Sequence, residues 1–183
     1  GVITGVSAGT ATITYTVAGT GGCPNATATR TVTVTAAPVA GTLSGTQNIC
    51  VGLTTTFSST QTGGTWSSSN TSIATINASG VITGVSAGTA TITYTVAGTG
   101  GCPDATATRT VTVTAAPVSG TLSGTQNVCV GLTTTFSSTQ TGGTWSSSNT
   151  SIATINASTG VITGVAAGTA TITYTVAGTG GCP

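Results

Sequence analysis

The chain has 183 residues and only three formal charges, which are Arg30, Arg109 and Asp104. Charged residues make up 2% of it, against about a quarter in ordinary soluble domains. Catalytic bases, metal ligands and phosphate-binding residues are mainly His, carboxylates, Cys, Lys or Arg. We therefore expect no enzyme, no cofactor, no metal and no nucleic-acid partner.

The sequence is apolar without being membrane-spanning. Its mean hydropathy is +0.41, unlike that of disordered chains, which combine low hydrophobicity with high charge. Thr and Gly interrupt every apolar stretch before it reaches the length of a membrane helix, so we expect no membrane insertion. The start at Gly1, with neither Met nor a signal peptide, favours an internal piece of a longer protein or a mature fragment.

A long repeat dominates the chain. The segment 1–79 recurs at 80–158, and it begins a third time at Gly160 after one inserted residue, Thr159. A period of roughly 80 residues is too long for a solenoid and fits a small independent domain.

The seams between domains are predicted at Ala-Ala-Pro, which occurs at 36–38 and 115–117. Proline cannot donate to a continuing strand ladder and stiffens the joint. The predicted units are the C-terminal part of one domain at 1–35, a complete domain at 36–114, and a domain lacking its last strand at 115–183.

Alternation with a period of two predicts strands throughout the complete repeat, and no window shows helical periodicity. Gly, Asn and Ser clusters separate the strands. In chain order the predicted strands are 43–50, 53–59, 64–67, 72–76, 81–85, 89–96 and 106–113. About seven strands in roughly 80 residues predict an all-β, antiparallel sandwich of immunoglobulin type.

The inward register of these strands predicts the core. The predicted core residues are Phe57, Trp66, Ile76, Ile92, Tyr94, Val96, Val111 and Val113. Arg109 shares that register, and we expect an edge position with its stem packed and its guanidinium in water. A ligand-binding role for Arg109 is the alternative. Asp104 is a candidate ion-pair partner of Arg109.

The segment 65–76, Thr-Trp-Ser-Ser-Ser-Asn-Thr-Ser-Ile-Ala-Thr-Ile, and the segment 79–93, with Gly-Val-Ile-Thr-Gly and Ala-Gly-Thr-Ala-Thr-Ile, resemble the bacterial Ig-like domain, group 2. The Cys-Val-Gly-Leu and Gly-Gly-Cys-Pro pieces are similar to tandem arrays in large surface adhesins of Bacteroidota-type bacteria. The resemblance implies export to the bacterial cell surface and a role as stalk, adhesin or filament. It transfers no catalytic residue. Many adhesin arrays stiffen their linkers with Ca²⁺, and this chain lacks the carboxylates to do so.

Five cysteines fall into two classes, which predict disulfides in an oxidising compartment. Cys50 and Cys129 precede Val-Gly-Leu, whereas Cys23, Cys102 and Cys182 lie in Gly-Gly-Cys-Pro. An Ig-like topology puts the classes at opposite poles, about 20 Å or more apart, while a disulfide needs Cα atoms within about 7 Å. We favour an interdomain Cys50–Cys182 bridge, with Cys23, Cys102 and Cys129 pairing outside the sequence. The alternative is the intradomain pairs Cys50–Cys102 and Cys129–Cys182.

The favoured function is a structural, extracellular array, a stiff stalk or filament shaft whose joints are locked by disulfides. Its partners are neighbouring repeats, with lateral association into fibres, and the distal ligand is not predicted. The alternatives are an adhesive module that binds glycan or another surface and, less favoured, an ice-binding face. Sugar sites usually use exposed aromatic residues, whereas Trp66 and Trp145 share the core register. The ice-binding alternative rests on the threonine rows at 89, 91, 93 and 95 and at 106, 108, 110 and 112.

Overall fold

The computed structural model describes residues 1–182, and the regular structure in that part of the chain consists of β-strands. In the longest strands Thr alternates mainly with Ala, Ile and Val, which gives them one apolar face and one hydroxyl face. The prediction of an all-β chain of tandem Ig-like sandwich domains is confirmed. Residues 1–182 contain no helix long and apolar enough to cross a bilayer.

The strands of the described residues are numbered in chain order. They are β1 (Gly9–Val17), β2 (Ala26–Val34), β3 (Leu43–Ser44), β4 (Asn48–Cys50), β5 (Thr54–Thr56), β6 (Ser58–Ser59), β7 (Thr65–Ser68), β8 (Ala74–Ile76), β9 (Val81–Gly84), β10 (Gly88–Val96), β11 (Ala105–Thr114), β12 (Leu122–Ser123), β13 (Thr133–Thr135), β14 (Ser137–Ser138), β15 (Thr144–Ser147), β16 (Ala153–Ile155), β17 (Val161–Gly164) and β18 (Ile172–Thr175).

Residues 36–114 contain two main sheets that enclose one apolar core. One sheet has the order β4-β11-β10-β7 and the other has the order β5-β9-β8, while β3 and β6 form a separate pair. All neighbours are antiparallel except β11 and β4, which run parallel. Strand β11 therefore lies between β10 and β4 and closes the larger sheet over the core.

Two of the predicted strands are each split into two short strands in different sheets. The segment 43–50 becomes β3 and β4, and the segment 53–59 becomes β5 and β6. Gly45 lies at the first break with φ 128°, and a Cβ built there would be 2.6 Å from the Phe57 ring. Only glycine fits this position, so the chain bends and crosses between sheets, which gives nine short strands where about seven were predicted.

The core of residues 36–114 consists of two adjoining clusters. In the larger cluster, Phe57, Ile92, Val111 and Val113 are buried. The buried members that sequence reasoning did not select are Ile49, Ala74, Ile82 and Ala90 in that cluster, and Ala40 and Leu43 in the smaller one. Two sheets thus share one continuous apolar interior.

The aromatic and half-buried residues of the core border both clusters. Tyr94 is buried, and its ring centroid lies 4.6 Å from that of Trp66. The Tyr94 hydroxyl donates to the Gln61 carbonyl at 3.0 Å and accepts from the Gly64 N–H at 2.8 Å, so its polar end is satisfied. Trp66, Ile76 and Val96 are half-buried and pack against the clusters.

Arg109 lies on the inward face of β11, but its environment differs from the predicted one. Its guanidinium donates to the carbonyls of Leu43 and Gly45, at 3.0 Å each, and lies 5.6 Å from the centroid of the Phe57 ring. The charge therefore binds the backbone around β3, although Arg109 is only half-buried and its bond to Gly45 lies at the surface. The reason is the bend at Gly45, which turns two carbonyls towards β11.

Asp104, the candidate partner of Arg109, has a different role. Its carboxylate accepts from the Gly98 N–H at 2.9 Å, and Asn25 accepts from Gly19 in the same way at 3.0 Å. Either side chain closes this loop because only an acceptor oxygen is required.

The flanking segments are incomplete copies of the same sandwich. Strands β1 and β2 form a hairpin in which Tyr15 is 72% exposed. Strand β12 corresponds to β3, and β13–β18 correspond to β5–β10. Residues 115–182 contain no strand that corresponds to β4 or β11. Leu122 is consequently 42% exposed, against 7% for Leu43 at the matching position. Residue 183, the last of the predicted third unit, lies outside the described residues.

Candidate functional site: the joint between repeats

The joint begins at the end of the last strand of the complete repeat. Cys50 ends β4 and lies opposite Thr114, which ends β11. The Val51 N–H donates to the Thr114 carbonyl at 2.9 Å and extends this parallel ladder by one residue. Cys50 is therefore held beside the segment that leads into the next repeat, and it is 2% exposed.

The second half of the joint is the Gly-Gly-Cys-Pro loop of the following repeat. The Cys182 N–H donates to the Thr179 carbonyl at 3.2 Å and closes a tight turn. A disulfide joins Cys182 to Cys50, with their Cα atoms 4.8 Å apart and a separation of 132 positions in sequence. The Cys182 sulfur also contacts the carbonyl oxygens of Thr114 at 3.5 Å and Ala115 at 3.4 Å.

The loop packs closely against the preceding repeat. Gly181 has φ 89°, and a Cβ built on it would lie 2.8 Å from the Asn48 carbonyl oxygen in β4. A side chain at this position would push the loop away from the strand that carries Cys50. Glycine here lets the two cysteines approach each other.

We expect Gly181→Ala to weaken the joint. The left-handed backbone alone costs an L-residue about 1–2 kcal/mol, and the added methyl group must also displace the loop from Asn48. The bridge should then open at a lower concentration of reduced glutathione, measured by thiol alkylation and mass mapping. The matched control is Gly101→Ala, which has a similar φ of 84° and nothing within 4 Å of the new Cβ. Equal effects of the two variants would show that the Asn48 contact is unimportant.

The preceding joint repeats this geometry with one partner missing from the chain. The Cys102 thiol donates to the Thr35 carbonyl at 3.5 Å, and Thr35 is the counterpart of Thr114. Cys102 is half-buried and free, and Cys23 and Cys129 are exposed and free. The counterpart of Cys50 for this joint would precede Gly1, so the pairing of these three cysteines outside the sequence stays a prediction.

The alternative intradomain pairing does not fit the fold. Cys50 lies opposite Thr114 at one end of β11, whereas Cys102 precedes Ala105 at its other end. The ten residues of β11 span about 33 Å at 3.3 Å per residue, far beyond the reach of a disulfide. Cys182 is bonded to Cys50 and not to Cys129.

Sequence reasoning missed Gln47, which ties the segment before Cys50 to β11. Its carbonyl accepts from the Thr112 N–H at 2.7 Å, and its side-chain amide donates to the Thr110 carbonyl at 3.0 Å. These bonds position β4, and with it Cys50, along the last strand. A lone Gln in a polar stretch carries no signal for this role, because the partner lies 63 residues away.

The residues considered for glycan binding and ice binding lie away from the joint. Trp145 is 7% exposed, and its ring centroid lies 4.6 Å from that of Tyr174, with the planes tilted by 44°. Trp66 is half-buried and lies at the same distance from Tyr94, with a tilt of 48°. Both tryptophans thus lie opposite the tyrosine of the neighbouring strand. The two threonine rows pair across β10 and β11, from Thr89 opposite Thr112 to Thr95 opposite Thr106. Residues 1–182 contain no group of three or more His, Cys, Asp or Glu side chains that could hold a metal ion.

One family model agrees with the sandwich architecture. A model of the bacterial Ig-like domain (group 2) matches residues 28–107 and again residues 107–181. No curated protein sequence matches the chain.

Two solved structures of S-layer proteins are similar to the chain. The structure of surface layer protein SbsC, domains 1–6, is 20% identical over 85% of this chain, with a TM-score of 0.38. The crystal structure of the S-layer protein rSbsC is 18% identical over 92%, with a TM-score of 0.36. The chain spans only 29% and 33% of their respective lengths.

Proposed function

Because the chain belongs to the bacterial Ig-like domain (group 2) family, we propose that it is a non-catalytic structural segment of an extracellular protein at the bacterial cell surface. In this proposal, tandem repeats form a stiff stalk or filament shaft of an adhesin or fibre. The observation that carries the proposal is the disulfide between Cys50 and Cys182, because it links two successive repeats covalently. Disulfides persist in oxidising compartments, which supports an extracellular location.

The repeat units of the shaft are proposed to begin at the two Ala-Ala-Pro segments, so that residues 36–114 form one unit and the next begins at 115. The family matches divide the chain at residue 107, inside β11. We place the seam after β11 because that strand pairs with both β10 and β4 of its own repeat. With this boundary, the disulfide spans a seam.

Stiffness is proposed to come from three links across one short seam. The chain itself passes through 115–117, the disulfide forms a second link, and the packing of Gly181 on Asn48 forms a third. Two covalent links restrict the relative rotation of neighbouring repeats far more than a single flexible tether does. The low charge leaves little repulsion between chains, which supports lateral association into fibres.

The test compares the shape of the oxidised chain with that of Cys182→Ser. We expect the wild type to show a narrow distribution of angles between residues 36–114 and 115–182, and the variant a broad one, by small-angle X-ray scattering and negative-stain imaging. Cys129→Ser is the matched control because Cys129 is exposed and free. Identical angle distributions in all three proteins would overturn the proposed role of the disulfide.

A further inference from the structure

The larger sheet of residues 36–114 turns a uniform surface of hydroxyl groups away from the core. Residues directly opposite each other in a ladder share a face of the sheet. Four Thr–Thr pairs of β10 and β11 point outward, the first being Thr89–Thr112 and the last Thr95–Thr106, and Thr65 and Ser67 of β7 lie beside them. We call these ten side chains the hydroxyl face. The residues that alternate with them form the core side of the same strands.

Both charged side chains of residues 36–114 lie off the hydroxyl face. Arg109 is on the inward side of β11 and donates to the carbonyls of Leu43 and Gly45. The Asp104 carboxylate accepts from the Gly98 N–H in the loop before β11. The surfaces of soluble proteins usually carry interspersed charges that oppose association. In this sheet, no charge protects the outward surface from a second protein molecule.

The chemistry of the hydroxyl face is self-complementary. A hydroxyl group both donates and accepts hydrogen bonds, so two such surfaces can pair without leaving a donor or an acceptor unmatched. The threonine methyl groups can pack against each other at the same time, and no like charges meet. A charged partner would find no group of opposite charge on this face. The surface that fits it best is therefore another hydroxyl face.

We propose that the hydroxyl face of one copy binds the hydroxyl face of a second copy, and that this contact carries the lateral association of neighbouring shafts. The inference rests on the proposed function, in which shafts associate into fibres. Sheets are twisted, and two twisted sheets pack face to face with their strands about 30° apart. A flat ice surface matches the threonine rows poorly, because a twisted sheet does not keep them in one plane.

The contact made by one repeat is small. The four strands of the sheet cover a planar area of about 400 Å², at about 3.3 Å per residue and about 4.8 Å between strands. Two faces together bury about 800 Å², whereas stable complexes bury about 1,200–2,000 Å². The same Thr–Thr pairs recur in β1 and β2, from Thr10–Thr33 to Thr16–Thr27. Association therefore requires several repeats to engage at once, and it strengthens steeply with the number of repeats.

The test places one lysine at the centre of the hydroxyl face. Thr108 is exposed and lies opposite Thr93, midway along the ladder of β10 and β11. In Thr108→Lys, like charges of two copies meet, so the association constant of the oxidised 183-residue chain should fall about tenfold or more. Sedimentation equilibrium measures this constant.

Thr75→Lys is the matched control for this variant. Thr75 is also an exposed strand residue, but it lies in β8, on the outward side of the other sheet. It adds the same charge and should leave the association constant unchanged. Contacts through surfaces other than the two substituted ones are common to both variants, so the difference between them reports the hydroxyl face.

A mixing experiment tests whether the partner surface is a second hydroxyl face. Thr108→Lys and Thr108→Glu should each associate weakly alone, whereas their equimolar mixture should associate at least as strongly as the wild type, because opposite charges then meet. A mixture of Thr75→Lys and Thr75→Glu controls for attraction between net charges and should behave as the wild type does. No recovery in the Thr108 mixture would overturn the face-to-face arrangement.

The remaining outcomes separate this contact from the proposed stiff shaft. A wild-type chain that stays monomeric at high concentration overturns the contact, while the shaft is judged separately by the angle distribution of Cys182→Ser. Equal association of Thr108→Lys and Thr75→Lys assigns lateral association to another surface and overturns the role of the hydroxyl face. Thermal hysteresis from a monomeric wild type that is lost in Thr108→Lys assigns the face to ice and overturns it as well.

Discussion

Replacing Phe57 with alanine is expected to lower the free energy of unfolding of residues 36–114 by about 3–5 kcal/mol. Phe57 is 1% exposed and lies in the larger cluster, between β5 and β6. Its removal leaves a cavity that the surrounding strands cannot close, and it removes the ring on which the Arg109 guanidinium lies. Urea denaturation followed by tryptophan fluorescence measures the change.

Phe136→Ala provides the matched control because Phe136 occupies the same position in the repeat without a last strand. Phe136 is half-buried and lines an open groove, so water already reaches its surroundings. The loss there should be clearly smaller than the loss at Phe57. Equal losses at the two positions would contradict the view that β11 seals the core.

Replacing Arg109 with methionine is expected to destabilise residues 36–114 by about 2–3 kcal/mol. Methionine keeps the apolar stem but removes both donors to the carbonyls of Leu43 and Gly45, which then lose their partner. The contact of the charge with the Phe57 ring is lost as well. Thermal unfolding monitored by circular dichroism measures the difference.

Arg30→Met tests whether this effect belongs to the site or to the residue type. Arg30 has the same sequence neighbours in β2 as Arg109 has in β11, but it is exposed in the hairpin. In the monomeric chain its substitution should change stability by less than about 0.5 kcal/mol, as for ordinary surface positions. An effect as large as that of Arg109→Met would rule out the backbone contacts as the cause.

The architecture was predictable because strand periodicity is a local signal. Thr alternates with mainly apolar residues in 89–96 and 106–113, which fixes the inward face of each strand, and these segments form β10 and β11 with only small changes in their ends. The joint geometry followed from topology, since the two cysteine classes lie at opposite ends of β11.

The remaining features depend on contacts between distant residues. The split of segment 43–50 follows from the packing of Gly45 against Phe57, which no local pattern reveals. The inward guanidinium of Arg109 requires the carbonyls that this bend exposes, 64 and 66 residues away. Sequence alternation gave the correct face for Arg109 but not the environment on that face.

The disulfide also determines how the chain would respond to pulling. Tension applied beyond residue 182 passes through the sulfur atoms to Cys50 and bypasses the stretch between the two cysteines, which are 132 positions apart in sequence. If both repeats unravelled without the bridge, that stretch would lengthen the molecule to a contour of about 450 Å at 3.3–3.6 Å per residue. With the bridge intact, the stretch between Cys50 and Cys182 would not extend even if a repeat unfolded. The disulfide would then carry the load and limit how far the chain can lengthen.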